Sequence, residues 1–539
     1  MEASTEISMA TSQKEIRGMC SRGPIIGTSP STLRRTPRAI NVAKKKRISR
    51  ATGLPAYPLA TLKLPILFPQ PSALRGAPRT GRRLTPRWAV RKELVRAVWG
   101  LLRGLGALPG FWIEGQGIRQ QVREDVLGPP ATPENRPNSA PPIERPLTLF
   151  LASAEPSGET HACSLARALQ DELRALGAPQ PRLFGFGGPA LTAAGVTVLG
   201  DPGARATMDA GDAARGIGFY SNLLECLAQC CDEEGLDAFV AIDSPALHVP
   251  MASLAKERGV PTIHFVAPQY WAWAPWRVTR YKKVFDLALT ILPFEPRWYR
   301  RQKVNCVHVG HPILDTFKNL QEVAPEESRK ALALLPGSRA GEIEDNLPWM
   351  LARIRECMPK LESREVLICQ SSSRHRQRIE TILAREGVQA NLMVGDLHSC
   401  LDLARTAFAV SGTVLMEVMR HGIPTVVIYR VNHGWKRYLS WLLTSPWFGK
   451  PNLVAAGEVY PEFAFKGEGD PQAVVEQLIS LDRDPDRRLA VSWGIKRAFS
   501  RLGGPGATGR AARAILHQIT PEPGAATAPG PEGRPQQRK

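Results

Sequence analysis

The sequence lacks the cysteine spacing of a zinc ribbon or a thioredoxin-type redox site. Its nine cysteines are scattered over 539 residues, and no two of them form a Cys-x-x-Cys pair. An odd number of scattered cysteines is typical of a protein from a reducing cytoplasm. The glycine fingerprints of P-loop and dinucleotide-binding proteins are missing as well, which argues against a P-loop ATPase and a dehydrogenase.

Long apolar runs are also missing. No stretch of 18 uncharged apolar residues occurs, so no membrane-spanning helix is predicted. The first twenty residues lack the short apolar core of a secretory signal. We therefore expect a cytoplasmic protein.

Acidic residues are scarce at the start of the chain. Residues 1–100 hold 20 Lys/Arg and 4 Asp/Glu, which is most of the net charge of +20. The global charge is therefore no evidence for a nucleic-acid-binding enzyme. Residues 1–86 are predicted to be a disordered basic arm, which is either a ligand for anionic lipid or nucleic acid or, as we favour, a solvated tail.

Most of the chain can nevertheless form a core, because 43% of its residues are hydrophobic and 22% charged. Residues 87–126 are predicted to be an amphipathic helical segment, with apolar residues at helical spacing over 87–108. This segment is either a membrane-surface helix or a helix docked on the main domain. Residues 127–146 are rich in proline and are predicted to be a linker.

From Leu147 onward, short apolar runs alternate with helical stretches, which predicts parallel βαβ units. A first series of candidate strands consists of Leu147–Leu151, Leu183–Phe186, Ala238–Ile242, Thr262–Val266, Leu287–Leu292 and Val307–Val309. A second series consists of Ala331–Leu335, Val366–Cys369, Asn391–Val394, Ala407–Val410 and Thr425–Ile428.

The fold class is therefore α/β, with two doubly wound Rossmann-like domains that face each other across a cleft. The N-terminal domain is predicted to span 147–322 and the C-terminal domain 323–519. The last helices of the C-terminal domain are able to pack back on the N-terminal one. Residues 520–539 are predicted to be a disordered tail.

Ligands of such folds bind at the carboxyl ends of the strands, so the residues directly after each strand are the candidates for a site. In the second domain these are Gly337-Ser338-Arg339 and Ser411-Gly412-Thr413. Small residues let a phosphate approach the backbone, a helix start offers free N–H groups, and Arg339 offers a bidentate contact. The two segments together predict a nucleoside diphosphate site, although either alone also fits an ordinary turn.

A dense aromatic segment follows the candidate strand that ends at Val266. Tyr270, Trp271, Trp273 and Trp276 lie within seven residues and precede Arg277. Tryptophan usually keeps one edge near water, so we favour a cleft lining for an amphipathic ligand or a membrane face over plain core packing.

Taken in order, these segments resemble lipid-A-disaccharide synthase, a glycosyltransferase family of the glycosyltransferase-B fold, over roughly residues 147–500. The matching segments are AEPSGE (154–159), FGFGG (184–188), HFVAPQYWAWAPWR (264–277), LPFE (292–295), VGHP (309–312), LLPGSRAGE (334–342), SGTVLME (411–417), Tyr429-Arg430 and PNL (451–453).

The resemblance implies transfer of a 2,3-diacylglucosamine unit from UDP to 2,3-diacylglucosamine 1-phosphate, with inversion and without a metal or cofactor. The residues that it implies for UDP-sugar binding are Gly337, Ser338, Arg339, Glu342, Ser411, Gly412, Thr413, Glu417, Tyr429 and Asn452. Those implied for the acceptor and its lipid are Ser157, Gly158, Gly187, Gly188, Pro268, Trp271, Trp273 and Arg277. Acylated substrates imply a protein that is peripheral on the inner membrane; a homodimer and no nucleic-acid partner are also expected.

The sequence departs from the family where a base is expected. The family has Asp-x-Pro-Asp after the strand that ends at Ile242, whereas this chain has Asp243-Ser244-Pro245-Ala246. The second Asp, the base proposed for the family, is replaced here by Ala246, whose methyl side chain takes no proton. Asp243 and His248 are the nearest candidate bases, and Glu155 and Glu159 border the same end of the cleft.

Three other functions remain open from the sequence. The first is a UDP-sugar transferase or epimerase of the same fold that acts on a non-lipid partner, which the aromatic segment disfavours. The second is a non-catalytic or altered-substrate UDP-sugar or lipid-binding relative, suggested by Ala246. The third is nucleic-acid binding through residues 1–100, which we rank last.

Overall fold

A computed structural model describes residues 115–135, 142–203, 213–316, 328–370, 373–430 and 443–520. The predicted basic arm, the helical pattern at 87–108 and most of the predicted tail lie outside these residues. The predicted boundary at residues 322–323 does so as well. Residues 115–127, called here the leading helix, are helical.

The N-terminal domain is a seven-stranded parallel sheet with helices between the strands. Its strands are β1 Thr148–Ala152, β2 Arg182–Phe186, β3 Thr197–Gly200, β4 Ala238–Ile242, β5 Thr262–Phe265, β6 Leu287–Thr290 and β7 Cys306–His308. Its helices are α1 Pro156–Ala175, α2 Pro189–Ala193, α3 Ala213–Glu233, α4 Pro245–Lys256, α5 Val278–Val284, α6 Glu295–Arg301 and α7 Ile313–Thr316, with a 3₁₀ turn at Pro275–Arg277.

The C-terminal domain is a six-stranded parallel sheet of the same design. Its strands are β8 Ala331–Leu335, β9 Glu365–Gln370, β10 Asn391–Val394, β11 Ala404–Val410, β12 Thr425–Arg430 and β13 Glu462–Phe465. Its helices are α8 Ala340–Cys357, α9 Arg376–Glu386, α10 Leu397–Leu403, α11 Val414–Arg420, α12 Lys450–Ala455, α13 Pro471–Arg483, α14 Pro485–Leu502 and α15 Ala507–Ile519, with 3₁₀ turns at Met358–Lys360 and Ser373–His375.

Strand order shows where ligands bind in each sheet. The orders are β3-β2-β1-β4-β5-β6-β7 and β10-β9-β8-β11-β12-β13, and every pairing is parallel. The order reverses between β1 and β4 in the first sheet and between β8 and β11 in the second. Ligands of doubly wound folds bind at these reversals, outside the carboxyl ends of the strands. The predicted two-domain α/β architecture is therefore confirmed.

The central strands are apolar on both faces because helices cover both sides of each sheet. All five residues of β1, of β4 and of β8 are buried. The sequence prediction located these strands well but did not predict β3 or β13. Both are edge strands without a fully buried residue run, so they lack the apolar signal of the central strands.

The end of the chain returns to the N-terminal domain. Helix α15 packs against α1, and its first turn is capped by Asp315, which follows β7. The Asp315 carboxylate accepts from Ala507 N at 3.0 Å, from Thr508 N at 2.8 Å and from Thr508 Oγ1 at 2.6 Å. Arg510 Nε also donates to Val309 O at 2.8 Å.

The proline-rich stretch is not a free linker in its described first half. Ala131 N donates to Pro293 O at 2.8 Å, and Glu134 N donates to His308 O at 2.7 Å. The leading helix before it is docked by Asp125, whose carboxylate accepts from Arg301 at 2.9 Å. Proline composition predicts a linker, but it does not reveal whether such a stretch is docked on a domain.

Cys369 and Cys400 form a disulfide that joins the end of β9 to α10, with their Cα atoms 6.3 Å apart. Six other described cysteines are free: Cys163, Cys226, Cys230, Cys231, Cys306 and Cys357. Among the described residues, no helix is both long and apolar enough to cross a membrane.

The Asp315 cap gives a first prediction. Asp315→Ala removes the acceptor of several N-terminal donors of α15, and a lost cap costs about 1–2 kcal/mol. We expect a lower thermal midpoint and faster amide hydrogen exchange within residues 507–519. Asp470→Ala is the matched control, since Asp470 caps α13 through Ala473 N at 3.0 Å, away from α15. Unchanged exchange in 507–519 would mean that Asp315 does not hold α15 in place.

Candidate functional site

The loops that leave β8 and β11 lie side by side. The register pairs Leu335 with Ala409, so residues 336–339 and 411–413 leave the same edge of the sheet from neighbouring strands. Gly412 and Thr413 are exposed and Ser411 is half-buried. The sequence prediction that both segments border one site is consistent with this register.

The Gly337-Ser338-Arg339 turn is shaped by Glu342, a residue predicted in the site. Glu342 Oε2 accepts from Ser338 N at 3.2 Å, and Glu342 Oε1 accepts from Arg339 Nη1 at 3.0 Å. Gly337 has a φ of 111°, and a Cβ there would lie 2.7 Å from Glu342 Oε2. Only glycine therefore fits this close approach. Gln370 Nε2 holds the turn from β9 by donating to Gly337 O at 3.1 Å.

Arg339 also reaches the N-terminal domain. Its Nη2 donates to Glu155 Oε2 at 3.1 Å, and the Arg339 side chain is 68% exposed. Glu155 follows β1, so this ion pair joins the strand-order reversals of the two sheets. The Arg339 pKa is raised although burial works against it, because the carboxylates of Glu342 and Glu155 favour the charged form. Arg339 is thus a permanent cation on the surface of the cleft.

Glu417 carries an unsatisfied polar atom. Its Oε2 is buried and has no hydrogen-bond partner among the described residues. Burial raises the Glu417 pKa, because the charged form loses water. Glu417 follows the 411–413 loop on α11, so an unpaired acceptor lies beside the predicted nucleotide site. Such an orphan acceptor is costly unless a ligand donates to it.

Asn452 does not have a free side chain, contrary to its predicted contact with the nucleotide. It is fully buried; its Nδ2 donates to Tyr460 O at 2.8 Å and to Glu462 Oε1 at 2.7 Å. Its Oδ1 accepts from Val459 N at 2.7 Å and Tyr460 N at 2.9 Å. All its hydrogen-bonding positions are therefore occupied within the domain. Asn452 fixes the start of α12 rather than touching a ligand.

Tyr429 is the better exposed aromatic residue of this domain's site. It is 38% exposed and stacks on Phe448, with ring centroids 5.1 Å apart. Phe448 O in turn accepts from Ser411 Oγ at 3.1 Å. The predicted residues Tyr429 and Ser411 are therefore linked through Phe448, a residue that the motif reading missed.

Across the cleft, β4 ends in a strained turn. Asp243 and Ser244 have φ values of 54° and 44°, in the left-handed region that residues other than glycine rarely adopt. The carbonyl of Asp243 accepts from His248 Nδ1 at 2.6 Å and from His264 Nε2 at 3.0 Å. Strained, over-determined turns of this kind concentrate at functional sites. The two histidines hold the Asp243 backbone while its side chain stays partly exposed.

His248 is therefore not the surface residue or base considered from the sequence. It is fully buried in α4, and burial lowers its pKa to about 4. His264 is likewise buried, with its pKa lowered to about 3, mainly by burial. Both rings are neutral near pH 7, and each donates one N–H to the Asp243 carbonyl. Asp243 remains the candidate base, with exposed Ala246 in the first turn of the same helix.

Glu159 is committed to local structure. Its Oε1 accepts from Ala190 N at 3.0 Å and Leu191 N at 3.3 Å, which caps α2. A Cβ on Gly188 would lie 2.6 Å from Glu159 Oε2, so a larger residue there would displace the Glu159 carboxylate. A cavity of about 210 Å³ lies at this point; its lining includes Ser153, Glu155, Glu159, Gly187, Gly188 and, from the C-terminal domain, Arg374.

Predicted Ser157 and Gly158 lie in the first turn of α1, beside this cavity. A Cβ on Gly158 would make only ordinary contacts, the nearest with Ile242 O at 3.6 Å. The start of α1 therefore lies close to the end of β4. The loops after β1, β2 and β4 thus meet at one corner of the N-terminal domain.

The aromatic segment divides into a buried and an exposed half. Trp271 is 1% exposed, its Nε1 donates to Glu295 Oε1 at 3.1 Å, and it packs edge-on against Phe294. Pro268 is buried as well, and its carbonyl accepts from the Tyr299 hydroxyl. Core packing, the interpretation that the sequence analysis disfavoured, is therefore correct for these two residues.

Trp273 and Arg277 form the exposed half. Trp273 is 45% exposed, and the Arg277 guanidinium lies 5.2 Å from its ring centroid and 5.2 Å from that of Tyr270. The amphipathic surface expected from the sequence is therefore limited to Trp273 and its cation. The same segment also contacts the C-terminal domain, since Thr444 N donates to Ala272 O at 2.9 Å.

Comparison with known proteins agrees with this geometry. The sequence profile of the family described as "Lipid-A-disaccharide synthetase" matches residues 149–502. The lipid-A-disaccharide synthase of Myxococcus xanthus is 30% identical over 396 residues, covering 70% of this chain and 99% of that protein. The enzyme of the same name from Pseudomonas putida is 31% identical over 379 residues, covering 69% and 98%.

One solved structure shares the fold, and a second has a lower score. A UDP co-structure of S. aureus MnaA has a TM-score of 0.50 at 13% identity and covers 69% of this chain and 97% of its own. A putative UDP-N-acetylglucosamine 2-epimerase from Listeria monocytogenes has a TM-score of 0.49 at 12% identity, covering 70% and 96%. From the profile match and the full-length relatives, we conclude that the chain belongs to the lipid-A-disaccharide synthetase family and is a glycosyltransferase of lipid A biosynthesis.

Proposed function

We propose that the cleft transfers 2,3-diacylglucosamine from its UDP conjugate to the 6-hydroxyl of 2,3-diacylglucosamine 1-phosphate. The products are the β-1,6-linked disaccharide 1-phosphate and UDP. The observation that carries this proposal is the meeting of the two strand-order reversals, joined by the Arg339–Glu155 ion pair at 3.1 Å. A nucleotide on one side and an acceptor on the other are then held within reach of each other.

On the C-terminal side, three groups are suited to UDP. The Arg339 guanidinium binds the diphosphate, and the exposed 411–413 loop lets it approach the backbone. The unpaired Glu417 carboxylate accepts from the ribose hydroxyls. These contacts stabilise the leaving diphosphate as the bond from its oxygen to the anomeric carbon breaks.

On the N-terminal side, Asp243 is the base. Its carboxylate takes the proton of the acceptor 6-hydroxyl as that oxygen attacks the anomeric carbon, and the bonding pair leaves with UDP. A direct attack inverts the configuration. Asp243 suits this role because buried His248 and His264 fix its backbone and because Ala246 cannot take a proton.

Trp273 with Arg277 is the proposed contact with acyl chains and with a membrane surface. An exposed indole next to a cation suits the boundary between lipid and water. Peripheral association with the inner membrane follows from substrates with acyl chains. A homodimer is a further expectation from the resemblance.

UDP release tests the proposed reaction. The purified protein in detergent, given both acylated sugars, should release UDP and form the disaccharide phosphate, detected by mass spectrometry. Asp243→Asn should lower kcat by about 10²–10⁴-fold, because an amide takes no proton. Adding Ala246→Asp to that variant places a second carboxylate in the same turn and should restore part of the rate. Tight UDP binding with no disaccharide from the native protein would instead support a non-catalytic relative.

We expect Glu417 to increase the affinity for UDP and to lower the thermal stability of the folded protein. Glu417→Gln keeps the shape but removes a charge, so UDP affinity should fall about tenfold in titration calorimetry, whereas 2′,3′-dideoxy-UDP should lose less. Because burial raises the Glu417 pKa, its ionisation opposes folding as pH rises. The variant should therefore have a higher thermal midpoint than the native protein above about pH 4.3, the ordinary glutamate pKa, and should lose this advantage at lower pH. Exposed Glu476→Gln is the control, and equal UDP affinity in both variants would exclude Glu417 from the site.

Arg339 and Glu155 should have opposite effects on UDP binding. Arg339→Ala removes a charged contact and should weaken UDP binding by about 10- to 100-fold. Glu155→Gln frees Arg339 from a competing carboxylate, and since an exposed ion pair contributes only about 0–1 kcal/mol, binding should tighten by no more than about fivefold. A large loss of kcat in Glu155→Gln with unchanged UDP affinity would assign Glu155 to catalysis rather than to this pairing.

A further inference from the structure

Lys450, the first residue of α12, lies in a backbone turn that buried groups hold in place. The Glu462 carboxylate accepts from Phe448 N and Gly449 N, each at 2.8 Å, directly before Lys450. The same carboxylate accepts from Asn452 Nδ2 at 2.7 Å. Burial raises the Glu462 pKa to about 7, yet its hydrogen bonds favour the charged form. Three hydrogen bonds to the Glu462 carboxylate therefore fix the backbone on both sides of Lys450.

On its C-terminal-domain side, this turn is attached to the predicted diphosphate loop. Ser411 Oγ donates to Phe448 O at 3.1 Å, two residues before Lys450. The Phe448 ring stacks on Tyr429 with the centroids 5.1 Å apart. A Cβ on Gly449 would lie 3.4 Å from Leu415 Cδ1, on the helix that follows the loop. Lys450 is thus next to the loop that is proposed to hold the leaving group.

On its other side, the segment before Lys450 is fastened to the N-terminal domain. Thr444 N donates to Ala272 O at 2.9 Å, and Leu443 forms a β-bridge with Trp273. On the N-terminal side of this contact, Trp271, which precedes Ala272, donates from its Nε1 to Glu295 Oε1 at 3.1 Å. The stretch 443–450 therefore spans the two domains and brings a side chain of the C-terminal domain against the acceptor side.

Four titratable groups of the N-terminal domain interact electrostatically with Lys450. They come from four different elements: His161 on α1, Asp243 after β4, Glu295 at the start of α6 and His311 after β7. Burial lowers the Lys450 pKa, and the carboxylates of Asp243 and Glu295 oppose that shift. Lys450 is half-buried, and among the described residues no carboxylate lies within salt-bridge distance of its ammonium. A cation therefore faces the candidate base without being neutralised by direct contact.

His311 supplies a second, independent sign of a missing ligand. Its Nδ1 accepts from Ile313 N at 3.2 Å, so the ring proton is on Nε2. That Nε2 is buried and has no acceptor among the described residues. The His311 pKa is lowered well below its usual value, by burial and then by Lys450, so the ring is a neutral donor near pH 7. A neutral N–H donor and an ammonium, each without a partner in the described part of the chain, suit an anionic oxygen where they lie near each other.

We infer that Lys450 is a further catalytic residue, whose ammonium contacts the β-phosphate of the departing UDP from the acceptor side of the cleft. Its charge stabilises the negative charge that develops on the phosphate oxygen as that oxygen takes the bonding pair from the anomeric carbon. The acceptor hydroxyl forms the new bond, and its proton goes to Asp243. This inference rests on the proposed function, since it needs a diphosphate leaving group.

The Lys450→Met variant tests the role. Loss of one group that stabilises developing charge costs about 10²–10³-fold in kcat, with the KM for the UDP-sugar within about threefold. Lys450→Arg keeps a cation and should retain more activity than Lys450→Met. Lys466→Met, an exposed lysine of the same domain, is the control and should match the native protein. A kcat for Lys450→Met within about threefold of native would overturn the inference.

The pH profile separates catalysis from a structural role. Because the Lys450 pKa is lowered, kcat of the native protein should fall on the alkaline side below about pH 10.4, the ordinary lysine value. In Lys450→Arg this alkaline fall should disappear, since guanidinium does not lose its proton in this range. If Lys450→Met fails to fold, the Lys450→Arg profile still decides: an unchanged alkaline fall contradicts the inference.

Titration calorimetry with UDP alone separates this inference from the proposed function. If the native protein binds UDP but forms no disaccharide, the proposed reaction fails. In that case, weaker UDP binding by Lys450→Met than by Lys466→Met still supports a phosphate contact for Lys450. Equal UDP affinities in the two variants, together with native-like turnover, remove Lys450 from the site.

Discussion

Parallel strands release all their loops at one edge, and this constraint organises the whole molecule. In each sheet the strand order reverses once, at β1/β4 and at β8/β11, so each domain has one place where loops diverge and leave room for a ligand. The segments at 155 and 339 join these two places through a single ion pair. Glycosyl transfer needs a donor and an acceptor in contact, and this arrangement brings two ligand-binding edges together without either domain changing its own fold.

The polar groups that are proposed to bind substrates in the cleft are different from the polar groups that hold the cleft in shape. His248, His264, Asn452 and Glu462 are buried or nearly so, and most of their hydrogen bonds go to backbone groups. They position Asp243 on one side and the start of α12 on the other. Glu417 Oε2 and His311 Nε2 are two of the buried atoms that have no partner among the described residues, and each would gain a hydrogen bond from a ligand in the cleft. The proposed catalytic groups therefore take their positions from buried residues whose hydrogen bonds are made within the protein.

Much of this could be predicted from the sequence because the central strands are mostly apolar and several of the turns after them contain glycine. The ends of β4 and β8 were predicted at the residues where they occur, and the loop segments at 337–339 and 411–413 follow directly. Edge strands β3 and β13 were not predicted; their residues are only partly buried, as are those of edge strand β10, which was predicted. Side-chain direction was the main gap: the motif containing Trp271 and Trp273 does not reveal that one ring is in the core and the other outside.

Other features depend on contacts far apart in the chain, which no local pattern encodes. His248 was considered as a base or a surface residue, and its burial follows only from the packing of α4 against β5. Lys450 belongs to none of the motifs identified in the sequence. Its importance follows only from the hydrogen bonds that tie 443–449 to both domains. The Cys369–Cys400 disulfide likewise joins elements 31 residues apart, which cysteine counting alone did not suggest.

A crystal structure of the protein with UDP tests the central claim most directly. The account predicts the diphosphate against Arg339 and the 411–413 loop, the ribose hydroxyls on Glu417, and the β-phosphate on the side that faces Asp243 and Lys450. Density for UDP at another edge of the C-terminal sheet, or on the N-terminal domain alone, would contradict it.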